Sequence, residues 1–136
     1  MKTKLPFASL VLTMILLAGC SAPNQSLQAG QIVLRPGDSI ASEDGSIKVT
    51  FVQVTEDSRC PTNVQCVWAG QVKVLLEVTL GTEVQQYTLV TVTAFEGDVN
   101  SIEVGDYTVT LTQVNPYPVY GQATNPADYQ TTLDVR

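Results

Sequence analysis

The chain has 136 residues, 13 Asp+Glu against 7 Lys+Arg, a formal charge of −6 and no histidine. That length supports one domain with its own core and is short for two. An acidic chain with few cations cannot displace phosphate counterions, so nucleic acid is excluded as a partner. Without histidine there is no Ser-His-Asp or Cys-His catalysis and no histidine-ligated metal.

Lys2 and Lys4 precede a nearly apolar run, 5–17, broken only by Pro6, Ser9 and Thr13. The run is short for a membrane span, which takes about 20 apolar residues, and has the charge-then-apolar layout of an export leader. Leu17-Ala18-Gly19-Cys20 follows and resembles a bacterial lipobox. The resemblance implies diacylglycerol transfer to Cys20, cleavage before it and acylation of the new amino terminus. Removing residues 1–19 with their two lysines would leave 117 residues and change the charge from −6 to −8. Lipid rather than charge would then hold the protein to its membrane, since two or more acyl chains anchor stably. Residues 20–30 read as the lipidated cysteine and a flexible tether, and 31–136 as the folded domain. Ser21 favours the outer membrane in a host that has one; in either case the domain is expected on the extracytoplasmic side of the cell envelope.

Valine and threonine supply 32 of the residues after Gly19. These β-branched side chains suit strands and crowd helices. Three turn dipeptides set expected registers. Asp44-Gly45 pairs Ile40 with Val49 and Ser42 with Ile47. Gly81-Thr82 sets Leu76 opposite Tyr87 and Val74 opposite Leu89. Gly105-Asp106 pairs Val104 with Tyr107 and Ile102 with Val109. Further strands are expected over 31–35, 47–54 and 129–135. The alternation slips at Phe51/Val52, at Leu89/Val90 and after Leu111, which marks β-bulges or strands buried on both faces. The expected fold is all-β: an antiparallel β-sandwich of immunoglobulin-like character with seven or eight strands, with a small barrel as the alternative.

With Cys20 lipidated, Cys60 and Cys66 remain as a pair in an oxidising compartment and are expected to form a disulfide. Closing so small a loop stabilises the fold by roughly 2 kcal/mol on chain entropy. Pro61 and Asn63 favour a turn inside it. The spacing matches neither a Cys-x-x-Cys redox site nor zinc, and no metal or cofactor is expected. From Cys66 the even-numbered residues Trp68, Gly70, Val72, Val74, Leu76, Val78 and Leu80 share a parity with the apolar face. A strand continuous from the loop would therefore bury Trp68 against the disulfide.

Asp57-Ser58-Arg59-Cys60-Pro61, four residues, then Cys66-Val67-Trp68-Ala69-Gly70 resembles the D-S-R-C-P…C-x-W-x-G signature of a family of small bacterial lipoproteins and secreted proteins. The likeness runs over about 35–136 and takes in the Tyr-Thr-Val-Thr-Leu strand and the Asn-Pro-Tyr-Pro segment. It implies export and a disulfide-bearing β domain, and carries no activity with it. Immunoglobulin domains place their cysteines far apart in sequence, and this chain departs from that.

Acidic residues gather at Glu43-Asp44, Glu56-Asp57 and Glu96-Gly97-Asp98. None forms a calcium loop, and they read as solvated turns. Arg59 is expected to pair with Glu56 or Asp57 as a loop stay. The connection 115–128, with three prolines, Tyr117, Tyr120 and several amides, has the make-up of a recognition loop. These readings lead to a non-catalytic, membrane-anchored envelope lipoprotein that binds an envelope protein or glycan through Tyr117, Tyr120 and the Cys60–Cys66 loop, or serves as a structural module. A cell-wall or glycan hydrolase using paired carboxylates is the competing expectation.

Overall fold

The computed structural model describes residues 26–136. The expected leader, Cys20 and the first part of the tether lie outside the described residues. Eight strands form in chain order: β1 (Gly30–Leu34), β2 (Ser39–Ala41), β3 (Ile47–Asp57), β4 (Val72–Leu80), β5 (Glu83–Val90), β6 (Ser101–Val104), β7 (Tyr107–Asn115) and β8 (Gln130–Val135). They make two antiparallel four-stranded sheets, ordered β2-β3-β4-β5 and β1-β8-β7-β6. The sheets stack as a β-sandwich and do not close into a barrel. The first sheet is a plain meander, and the second is a meander to which the first strand returns beside the last.

Strand alternation explains the stacking. In β4 Val72, Val74, Leu76 and Val78 are buried, while Lys73, Leu75, Glu77 and Thr79 between them are partly open. Val109 and Leu111 on β7, with Thr131, Leu133 and Val135 on β8, supply the facing layer. Phe51, Ile40 and Leu89 are also fully buried. Apolar area removed from water by such interdigitating faces is the main favourable contribution to a sandwich.

All three expected registers are present: Ile40 faces Val49, Leu76 faces Tyr87, and Val104 faces Tyr107. In the first hairpin the amide of Ser42 donates to the carbonyl of Ile47 at 2.9 Å. Its turn is held by Asp44, whose carboxylate accepts from the hydroxyls of Ser42 and Ser46 and the amide of Ser46. Those bonds, the Ser42 hydroxyl first, lower the Asp44 carboxyl to about 2. Of the expected slips, two coincide with register shifts, between Phe51 and Gln53 and between Leu111 and Gln113. The third is not a bulge. Leu89 and Val90 are both buried because Val90 ends the strand, and its amide donates to the carbonyl of Val99 in the crossover.

The domain starts earlier than position 31. Leu27 is 1% exposed and packs in the core, and its amide donates to the Ala41 carbonyl at 2.6 Å. As the one large apolar residue in a polar stretch, it draws residues 26–30 out of the expected tether and against β2.

Among the described residues, the Oγ1 of Thr131 is the one buried side-chain oxygen without a hydrogen-bond partner. Val has the same shape and no hydroxyl to desolvate. Thr131→Val is expected to raise unfolding stability by about 1 kcal/mol, seen as a higher urea midpoint at unchanged slope.

Candidate functional site

Pairing puts three long connections at one end of the sandwich. Asp57 faces Val72, Lys73 faces Val90, and Asn115 faces Gln130, so segments 58–71, 91–100 and 116–129 leave from the same edge of the two sheets. The three tight turns and the amino-terminal strand start occupy the opposite end.

The first connection is built as a continuation of the β3–β4 ladder. Ser58 donates its amide to the carbonyl of Gln71 at 2.8 Å, and Cys60 donates to Ala69 at 2.8 Å. Inside that ladder Cys60 and Cys66 form a disulfide with their Cα atoms 5.8 Å apart. Pro61 begins the turn, its carbonyl accepting from the amide of Val64 at 3.3 Å. Gly70 has φ of +69°, and a Cβ there would lie 1.8 Å from the Ser58 carbonyl oxygen. Only glycine allows the two backbones to approach this closely.

That glycine overturns the parity argument for Trp68. The left-handed residue breaks the alternation, β4 starts only at Val72, and Trp68 is 49% exposed rather than buried against the disulfide. Its ring instead meets Phe95 of the second connection edge-on, with centroids 5.9 Å apart.

Asp57 and Arg59 turn inward. The side chains are 9% and 4% exposed. Arg59 donates from Nε to Asp57 Oδ1 at 2.8 Å and from Nη2 to Oδ2 at 2.6 Å, a two-pronged pair. Its remaining donors cross to the other sheet, Nη1 to the carbonyl of Val114 and Nη2 to that of Pro116 at 2.8 Å. The Tyr129 hydroxyl donates to Asp57 Oδ2 at 3.1 Å, and the Tyr117 ring lies over the guanidinium, 4.3 Å from Cζ. The expected loop stay is thus a buried clasp between sheets. Glu56, the other expected partner, pairs with Lys73 at 2.9 Å. Burial pushes the Asp57 carboxyl up, but the hydrogen bonds and charge of Arg59 outweigh it and hold the group below its ordinary value. Burial, then the Asp57 charge, pushes the Tyr129 hydroxyl up.

Shorter bonds bind the connections to one another. The Thr62 amide donates to the Pro118 carbonyl at 3.0 Å, and the Tyr120 amide donates to Asn63 Oδ1 at 2.8 Å. Gln71, 2% exposed, with its amide oriented to satisfy both neighbours, donates to the Val92 carbonyl and Asp98 Oδ2. Asp98 also accepts the amides of Ala94 and Phe95. Asp57 and Asp98 therefore correct the expectation of solvated acidic turns. Both organise backbone.

This end presents a group of apolar and aromatic side chains outward among its polar ones. Tyr117 is 50% exposed and Tyr120 72%, and Val67, Phe95 and Val92 stand out beside them. Eight of the eleven large apolar side chains exposed on the described residues sit in these three segments, which singles out this end. A groove of about 330 Å³ runs between Tyr117, Ala69, Thr91, Val92 and Thr112, with Arg59 in its floor. A larger, more open hollow of about 490 Å³ at the opposite end lies among Leu27, Glu43, Asp44 and Asp106. The structure brings together Tyr117, Tyr120 and the disulfide loop, as the sequence suggested. Sequence reasoning missed Phe95 and Gln71; the exposed Val-Thr-Ala-Phe run in a long connection was the available signal for the first. No protein-family profile, curated protein or solved structure matches the chain.

Asp57→Asn leaves the buried guanidinium without its counter-charge and should cost about 3 kcal/mol of unfolding stability. The sign with pH follows from the lowered carboxyl, whose unfolded value is near 3.8. The stabilisation is complete above about pH 4 and is lost as pH falls through the folded value. Denaturation series from about pH 2 to about pH 7, which bracket the carboxylate range, should show less acid loss in Asp57→Asn than in the parent.

Proposed function

We propose that this protein is a membrane-anchored lipoprotein of the bacterial envelope, lipidated at Cys20, whose β-sandwich binds an envelope protein or glycan without catalysing a reaction. The observation that carries the binding reading is the exposure of Tyr117 and Tyr120 on a connection held to the disulfide loop, with Trp68 and Phe95 alongside. Amphipathic aromatic side chains on segments fixed from behind bury large areas on a partner at small entropic cost. The Cys60–Cys66 bond is compatible with an oxidising compartment. The lipobox-like Leu17-Ala18-Gly19-Cys20 and the likeness to small lipoproteins carrying D-S-R-C-P…C-x-W-x-G support the anchoring. The domain's amino-terminal strand starts at the end opposite the aromatic surface, so a tether there leaves that surface unobstructed.

The hydrolase reading asks for two carboxylates facing across a cleft. At this end Asp57 is committed to Arg59 and Tyr129, and Asp98 to two backbone amides and Gln71. Neither faces the groove as a free acid.

Crosslinking in native envelopes followed by purification tests the surface. Partners recovered with the parent chain are expected to be lost with Tyr117→Ala/Tyr120→Ala, while the variant still unfolds cooperatively, at a melting temperature lowered by loss of the Tyr117 ring from Arg59. Equal recovery from both would reject the surface. Anchoring has its own test. Cys20→Ser should move the protein from the membrane fraction to the soluble fraction or accumulate the uncleaved precursor.

A further inference from the structure

A sandwich of two open sheets has four edge strands, and a bare edge offers backbone donors and acceptors to another strand. Here β2 is three residues long and is covered, with Ser26 bridging Ala41 and Leu27 bonding its carbonyl. The edge strand β6 has four residues and β1 five. β5 has eight, with unbroken register against β4, no proline, no lysine and one charge, Glu83 at its first position.

The direction of its backbone groups follows from two bonds. The Thr91 amide donates to the Val72 carbonyl, so odd-numbered residues of this strand bond to β4. The Val90 amide donates the other way, to Val99 in the crossover, so even-numbered residues face outward. Val90 is thereby capped. Val84, Gln86 and Thr88 point their N–H and C=O groups off the sheet with nothing on the described residues recorded across from them.

We infer that this edge pairs antiparallel with the same edge of a second copy, about a two-fold axis at Gln86. In that register Gln86 faces its own copy and Val84 faces Thr88 on both sides of the axis, so all three outward residues on each chain are bonded. The neighbours across the seam are neutral and β-favouring, and Glu83 falls opposite Leu89, so no like charges meet. A slip of one step in one direction would set Val84 against the capped Val90; a slip in the other leaves Thr88 against the Gly81-Thr82 turn. Self-complementarity in a single register is the reason for assigning a second copy rather than a foreign strand. The two four-stranded sheets become one of eight strands. This pairing is independent of the loop-end surface and of what it binds.

Disulfide trapping in the full-length chain, in its native membranes, tests it. Across the axis the Gln86 Cα atoms come to about 5.5 Å, within disulfide reach. Q86C should run as a covalent dimer after mild oxidation. V84C alone should stay at the level of the parent chain, because its copies are about 14 Å apart. Coexpressed V84C and T88C chains should crosslink to each other, which confirms the register. In Q86C/T88P the lost outward N–H should abolish the trapped dimer, proline being tolerated on an edge. If that variant fails to fold, the V84C/T88C pair still decides. Absence of a Q86C dimer, trapping of V84C alone to the same extent, or adducts only with other proteins would overturn the inference.

Discussion

The buried pair of Asp57 and Arg59 is the constraint on which the rest of this end depends. Two residues apart in sequence, they form a closed fork, and the guanidinium donors left over reach the backbone of the opposite sheet at Val114 and Pro116. A charge placed this deep is tolerable only because every nitrogen is bonded and the carboxylate takes a further bond from Tyr129. Such a pair adds little net stability over a well-packed apolar substitute. Its effect is to fix geometry, since the guanidinium fits one arrangement of acceptors.

That geometry decides where the aromatic side chains stand. Arg59 holds Tyr117 by its ring and the backbone just before it by the Pro116 carbonyl. The disulfide loop that begins next door holds Tyr120 through Asn63. Gln71, at the far side of the same ladder, holds the connection that carries Phe95. Asp57, Arg59, Gln71 and Asp98 are turned in to bind backbone, and Tyr117, Tyr120, Trp68 and Phe95 are left out. Exposed aromatic side chains over a buried polar clasp are the arrangement on which the proposed binding surface rests.

The register of the hairpins was legible in the sequence because a short turn and a period of two leave one consistent pairing for Val74, Leu76, Tyr87 and Leu89. The bulges after Phe51 and Leu111 were legible as slips in that period. Trp68 was not, because one left-handed glycine ended the alternation on which its burial was inferred. The depth of Arg59 was not legible either. Its distant acceptors are carbonyls 55 and 57 residues away, and a carbonyl leaves no mark in the sequence. Asp57 and Arg59 stood out as a local pair, and only the fold shows that the pair joins two sheets.

The position of the last strand has a consequence for the order of assembly. The sheet of β2 to β5 is made of consecutive segments, so a chain emerging amino terminus first holds all of it well before β8 is made. In the other sheet β8 lies between β1 and β7, bonded to both. The first strand therefore has no neighbour in its sheet until β8 arrives, across nearly the whole length of the domain. Closing contacts of that span is slow, and it leaves β1 waiting on β8. Loss of β8 would then split the second sheet through its middle, where a comparable loss at an outer strand would only trim it.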